Sequence, residues 1–209
     1  MSFTRLDLES RLANFFPNNQ YYQQFDFQDS IQDGSDELCA FTGCVMDSAT
    51  IPFTAGVTYY DMLTLIPNYI GVIAIFNSVY KRWMFPTSLR KLAQVRWDWE
   101  TAFGSPYWFA PVSHRYIAIF MKPNAPGYGN MQVFYRASGP NPLQDTTPIP
   151  IPDDHIQSIE EYCITDLLEQ EQEWTKASKY FQSYQENCEK LKIYIQSRRN
   201  IGRQQRLMD

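Results

Sequence analysis

The sequence predicts an α+β protein in which N- and C-terminal helices form a bundle and a β-rich insertion fills the middle. Three observations carry this reading. Trp174, Ala177, Phe181, Tyr184, Cys188, Leu191 and Ile195 recur at spacings of 3 and 4 without a fault, the pattern of a long helix packed along one seam. Between residues 48 and 137 the apolar runs are short and rich in β-branched and aromatic residues, as in strands. Residues 138–152 hold Pro140, Pro142, Pro148, Pro150 and Pro152, an extended connector out of the strand region.

The first part, residues 1–47, reads as helical. Thr4 can cap a short helix with Leu8, Leu12 and Phe15 on one face, which Pro17 ends. Asn18 or Asn19 can start a second through Tyr21, Tyr22, Phe25 and Ile31. The Asp33-Gly34-Ser35-Asp36 cluster then breaks or turns the chain before Leu38 and Phe41.

In the β-rich part, residues 48–137, Ile51–Phe53 and Val57–Tyr60 flank a turn at Ala55-Gly56, and Ile70–Phe76 reads as a strand buried on both faces. Thr87 or Ser88 can cap a short helix carrying Leu89, Leu92 and Val95. Tyr116–Met121 and Met131–Tyr135 read as a hairpin, although the nine residues between them are many for a hairpin loop.

Beyond the strut at 138–152, residues 153–197 read as a helical hairpin. Pro152 takes a first-turn position, Asp153 and Asp154 suit the positive end of a helix, and Ile156, Ile159, Cys163 and Leu167 line one face. The polar stretch 169–173 marks the turn. Residues 198–209 are a basic tail.

Charge is unevenly spread. The net charge is −5, yet residues 189–209 carry six basic groups against Glu189 and Asp209, or +4, which leaves the rest at −9. The tail residues Arg198, Arg199, Arg203 and Arg206 can be a solvated end, dock on an acidic protein surface or bind phosphates. Aromatic residues make up 16% of the chain, which suits both interfaces and half-buried strands. No run approaches the ~20 apolar residues of a membrane span, and the first residues lack a signal-peptide core. The protein is therefore expected to be soluble, to have no membrane partner and to stay where it is made. Cys39, Cys44, Cys163 and Cys188 fit reduced, buried thiols.

Catalytic chemistry is expected to be absent. His114 precedes a strand and His155 lies in a helix's first turn, neither with an HxxxH or HExxH partner. Cys39 and Cys44 have no second pair at zinc-finger distance, and no phosphate-cradling, nucleophile-elbow or calcium loop occurs. Asp98 and Glu100 flank Trp99, but paired acids alone are weak grounds for catalysis. The chain is read as non-enzymatic, without cofactor or metal.

The order of parts resembles the head-to-tail adaptor (connector) proteins of tailed bacteriophages, over residues 20–197. Ile51–Asp61 is similar to the family's lead into its insertion, and Ser88-Leu89-Arg90-Lys91-Leu92 to its short helix. Trp97-Asp98-Trp99 with Gly104-Ser105-Pro106-Tyr107 resembles its tryptophan and glycine-proline stretch. Ile117-Ala118-Ile119-Phe120 with Lys122-Pro123, then Val133-Phe134-Tyr135, resembles its hairpin. Ile151-Pro152, His155-Ile156 and Tyr162 match the lead into its closing helices. The long N-terminal part and the basic extension depart from the pattern. The resemblance implies a virion structural protein of the neck or tail region, assembled in the host cytoplasm. Its copies would form a homo-oligomeric ring, typically of twelve, below the portal and around the DNA channel. Partners would be the portal protein, which Arg198–Arg206 would meet, a downstream tail component through the β insertion, and DNA passing without specific contact. Two alternatives stay open: a nucleic-acid-binding accessory protein that uses the basic tail, and another tail or scaffold component of a phage particle.

Overall fold

The structure, a computed structural model, describes residues 3–17, 22–124, 129–139, 148–149 and 151–205, with the backbone alone at 198–205. The fold is α+β. The chain divides into two compact units, Met1–Val45 together with Ser138–Asp209, and Met46–Ala137.

Among the described residues the first unit contains four longer helices. In α1 (Arg5–Phe15) a reciprocal cap starts the helix: the Thr4 amide donates to Asp7 Oδ2 at 2.9 Å and the Asp7 amide to Thr4 Oγ1 at 3.4 Å. Leu8 and Leu12 are fully buried, whereas Phe15, at the fraying end, is exposed and meets Tyr180 edge-on at 5.7 Å. Asn18, Asn19 and Tyr21 lie outside the described residues. The second helix, α2 (Gln24–Thr42), starts where Asp26 takes the Gln23 amide at 2.7 Å.

No break occurs at Asp33–Asp36, contrary to the turn read from those residues. The helix runs through them with Gly34, Ser35 and Leu38 buried. Glycine stands there for closeness rather than for bending, because a Cβ on Gly34 would meet the Tyr162 ring at 2.8 Å.

The proline-rich segment is anchored where it is described. Pro148 bridges to Thr4, the Ile149 amide donates to Phe3 O at 2.9 Å, and Ile149 and Ile151 join the helical core. Pro152 caps a 3-10 turn, Asp153–His155, so it precedes the first turn instead of forming it. In α5 (Ile156–Gln170) Ile156, Ile159, Cys163 and Leu167 are all at most 1% exposed. The chain then reverses through Gln172 at φ 63° and enters α6 (Trp174–Gln205). Side chains from all four helices share one core, including Leu8, Leu12, Ile31, Leu38, Ile159, Ala177 and Leu191.

Among the described residues the second unit holds two four-stranded sheets. The first has β1 (Met46–Pro52), β8 (Asn130–Ala137), β3 (Tyr69–Asn77) and β4 (Arg82–Trp83) in that spatial order, antiparallel throughout. The second has β2 (Tyr59–Asp61), β7 (Tyr116–Phe120), β6 (Trp108–Pro111) and β5 (Phe85–Pro86), with only β5 and β6 parallel. Consequently the hairpin read for Tyr116–Met121 and Met131–Tyr135 does not form, whereas the turn read at Ala55-Gly56 is present. Strands β1 and β2, on either side of Gly56, belong to different sheets, and so do β7 and β8. The long connection after β7 crosses from one sheet to the other. It is tied down by Gly56 N–H to Pro123 O at 2.7 Å and Phe53 N–H to Gly129 O at 2.9 Å.

The strand buried on both faces is β7, where Ile117, Ala118, Ile119 and Phe120 are at most 2% exposed. Strand β3 is not: its pairing with β8 shifts register twice and Ile73 is 42% exposed. Between β3 and β2 lies α3 (Met62–Leu65), capped by Asp61. The helix α4 (Leu89–Val95), capped by Ser88 Oγ on the Lys91 amide, lays Leu92 with Trp99 and Ala102 over Ala110, Ala118 and Phe120.

Candidate functional site

The long helix α6 presents the residues that the sequence singled out, but not all on one face. Ala177, Tyr184, Cys188 and Leu191 are at most 3% exposed, and Ile195 packs against the same core in part. Trp174 and Phe181 are 60% and 40% exposed. At 3.6 residues per turn a strict seven-residue pattern drifts around a straight helix. One turn beyond Ala177 the residue that packs inward is Tyr180, which leaves Phe181 at the rim.

Phe181 borders a groove of about 280 Å³ between α2 and α6. Phe41, Tyr184 and Cys188 line it with Phe181, and Glu37 and Glu189 are its carboxylates. The Lys192 ammonium lies 4.6 Å from the Phe41 ring centroid and 3.6 Å from Glu189 Oε1.

Beneath the seam is a polar contact that the periodicity does not announce. Glu161, 5% exposed on α5, takes hydrogen bonds from Gln157 Nε2 at 2.9 Å and Ser183 Oγ at 2.8 Å on one oxygen. Asn187 Nδ2 donates to the other at 2.8 Å. Ser183 and Asn187 stand one turn apart on α6, the spacing that would have revealed a polar stripe beside the apolar one.

The basic segment is not separate from the hairpin. Helix α6 continues to Gln205, so positions 198, 199 and 203 sit on helical backbone, and 199 and 203 are one turn apart. Arg206 lies outside the described residues.

In the second unit the outward face of the first sheet is aromatic. Trp83 meets Phe76 at 5.2 Å and Phe134 at 5.4 Å across three strands, and Trp83 itself is 49% exposed. The Trp97-Asp98-Trp99 stretch splits by role. Trp99 is buried, Asp98 pairs with Arg96 at 2.6 Å, and Trp97 is 90% exposed. Such exposed aromatic area is what protein contacts use.

The His155 ring lies tilted against Tyr194 at 5.7 Å, and Glu100 accepts from the Tyr59 hydroxyl at 2.5 Å, a contact that, after burial, helps push that phenol up to about 12. Among the described residues no group of three or more His, Cys, Asp or Glu could hold a metal ion, and no helix is long and apolar enough to cross a membrane.

A family model described as SU10 adaptor protein matches residues 3–207. No curated protein matches the chain.

Proposed function

The chain belongs to the SU10 adaptor protein family, a family of phage adaptor proteins, and on that premise we propose that it is a head-to-tail adaptor subunit. Copies close into a ring, typically of twelve, below the portal of a tailed-phage particle, and the ring surrounds the path of the DNA. The protein is then a structural part of the virion neck, assembled in the host cytoplasm, with the portal on one side and a tail component on the other.

One observation carries the reading: the family match extends over nearly the whole chain and so takes in both units. The architecture fits it. Helices from both ends of the chain share one core in one unit and the strands form the other, which we read as a bundle with a β-rich insertion. Exposed aromatic surface on the strand unit, around Trp83 and Trp97, is of the kind that a neighbour or the next ring covers. The basic end of α6, with Arg198, Arg199 and Arg203, together with Arg206 beyond it in the sequence, is the segment offered to the portal.

Sedimentation of the purified protein, alone and mixed with portal, tests this. Ring-sized particles or co-sedimentation with portal are expected. A chain that stays monomeric and never sediments with portal overturns the proposal. Deleting residues 198–209 is expected to abolish the portal contact; binding that survives the deletion removes the arginines from it.

A further inference from the structure

Two of the four cysteines stand together at the end of α2. Cys39 lies in the last full turn of that helix, which Gly43 ends in the left-handed conformation (φ 61°), its amide donating to Cys39 O at 2.8 Å. That turn carries Cys44 back over the helix end, and the two sulfurs are 3.7 Å apart. Cys39 is fully buried, whereas Cys44 is partly exposed, a departure from the buried thiols read from the sequence. All four thiols are free. Cys163 and Cys188 are buried on α5 and α6, and burial pushes them up to about 12 and about 11.

We propose that Cys39 and Cys44 are a redox-active thiol pair that exchanges with small-molecule disulfides and closes into an intramolecular disulfide. Cys44 is the attacking sulfur. It is the more exposed of the two, and the Cys39 S–H lowers it by donating to its anion, against the opposing effect of burial. Cys39 is pushed the other way by the same hydrogen bond and by burial, so it stays a thiol and acts second.

In the first step the Cys44 thiolate attacks one sulfur of the small disulfide. A protein–small-molecule disulfide forms, the original S–S bond breaks, and one thiolate leaves. In the second step Cys39, no longer facing a Cys44 anion, gives its proton to solvent, its thiolate attacks Cys44 Sγ, the mixed disulfide breaks, and the second small thiolate leaves and takes up a proton. Two protein thiols have been oxidised and one small disulfide has been reduced to two thiols. Closing the sulfurs from 3.7 Å to the ~2.05 Å of a disulfide is a movement of roughly 1.7 Å, within reach of side-chain rotation across a turn this short.

The test uses the full-length protein in oxidised glutathione at neutral pH, quenched with acid and mapped by peptide mass spectrometry. The expected product is a Cys39–Cys44 disulfide formed stoichiometrically and reopened by reduced glutathione, with Cys163 and Cys188 still thiols. Cys39→Ser should stop at glutathione on Cys44, and Cys44→Ser should leave Cys39 unmodified over the same time. Brief iodoacetamide treatment of the native wild type, which needs no variant, should label Cys44 first. A wild type that halts at glutathionylated Cys44, shows no reaction, or reacts first at Cys163 or Cys188 overturns the proposal.

Discussion

The Tyr162 ring on α5 lies against Gly34 on α2 so closely that its Cδ1 atom is 2.8 Å from where an alanine Cβ at position 34 would stand. Ile159 Cγ2 is the next constraint at 3.4 Å, and Tyr184 meets the Tyr162 ring edge-on at 5.4 Å, so the ring has little room to retreat. Exchanging a mid-helix glycine for alanine is ordinarily worth about 1 kcal/mol of helix stability. Here overpacking, typically about 1–3 kcal/mol, wins. Gly34→Ala should lower stability by about 1 kcal/mol in denaturant unfolding. In a Tyr162→Ala background the same change should stabilise. A stabilising Gly34→Ala in the wild type would show that the ring moves freely.

Glu161 ties α5 to α6 through Ser183 and Asn187 at 2.8 Å each. Truncation to alanine strands two donors in a nearly closed interface, each costing about 1 kcal/mol or more, so Glu161→Ala should destabilise by about 2–3 kcal/mol. Glu161→Gln keeps the shape and one carbonyl oxygen and should cost less than half of that. Equal losses in the two variants, read from chemical denaturation, would mean that the packing of the side chain matters and its hydrogen bonds do not.

What could be read from the sequence follows from which signals are local. The Thr4 and Ser88 caps, and the inward residues of α5, depend on neighbours three or four positions away, and they stand as the spacing indicates. Strand pairing does not work that way. Nothing near Tyr116–Phe120 or Asn130–Ala137 records that they join different sheets; only the length of the segment between them hints that it is not a turn. The Gly34 break failed for a similar reason, since the meaning of that glycine lies in Tyr162, 128 residues further on. The α6 pattern was legible as a helix, but seven-residue counting assigned Phe181 inward where the 3.6-residue turn selects Tyr180.

Asp61 and Arg115 join the start of α3 to the loop before β7, with Arg115 Nη2 at 2.6 Å and Nε at 3.0 Å from the same carboxylate oxygen. The Arg115 guanidinium, helped by the Thr64 amide, lowers the Asp61 carboxyl to about 2. A depressed folded value contributes stability above the unfolded value of about 4, and that contribution is lost as pH falls toward 2. Wild type should therefore lose melting temperature between pH 4 and pH 2 more steeply than Asp61→Asn. Both residues are solvent-exposed, so the difference should be small and should shrink in high salt. Parallel acid limbs for the two proteins would count against the pair.

Asp33 behaves in the opposite sense. Although Asp33 is an exposed residue, partial desolvation raises its carboxyl first, and Asp166, Asp29 and Asp36 raise it further. The folded protein thus holds the Asp33 proton more tightly than the unfolded chain, whose value is near 3.8. Stability from this residue is present at low pH and is lost as pH rises through the raised value. At pH 7 the ionised carboxylate is a burden, so Asp33→Asn should raise the melting temperature. The gain should fade as pH is lowered toward 4, where the wild-type carboxyl takes up its proton. Thermal unfolding of both proteins at pH 7 and pH 4 measures this. A variant no more stable than wild type at pH 7 would place Asp33 in a solvated setting, where its three acidic neighbours exert no net cost.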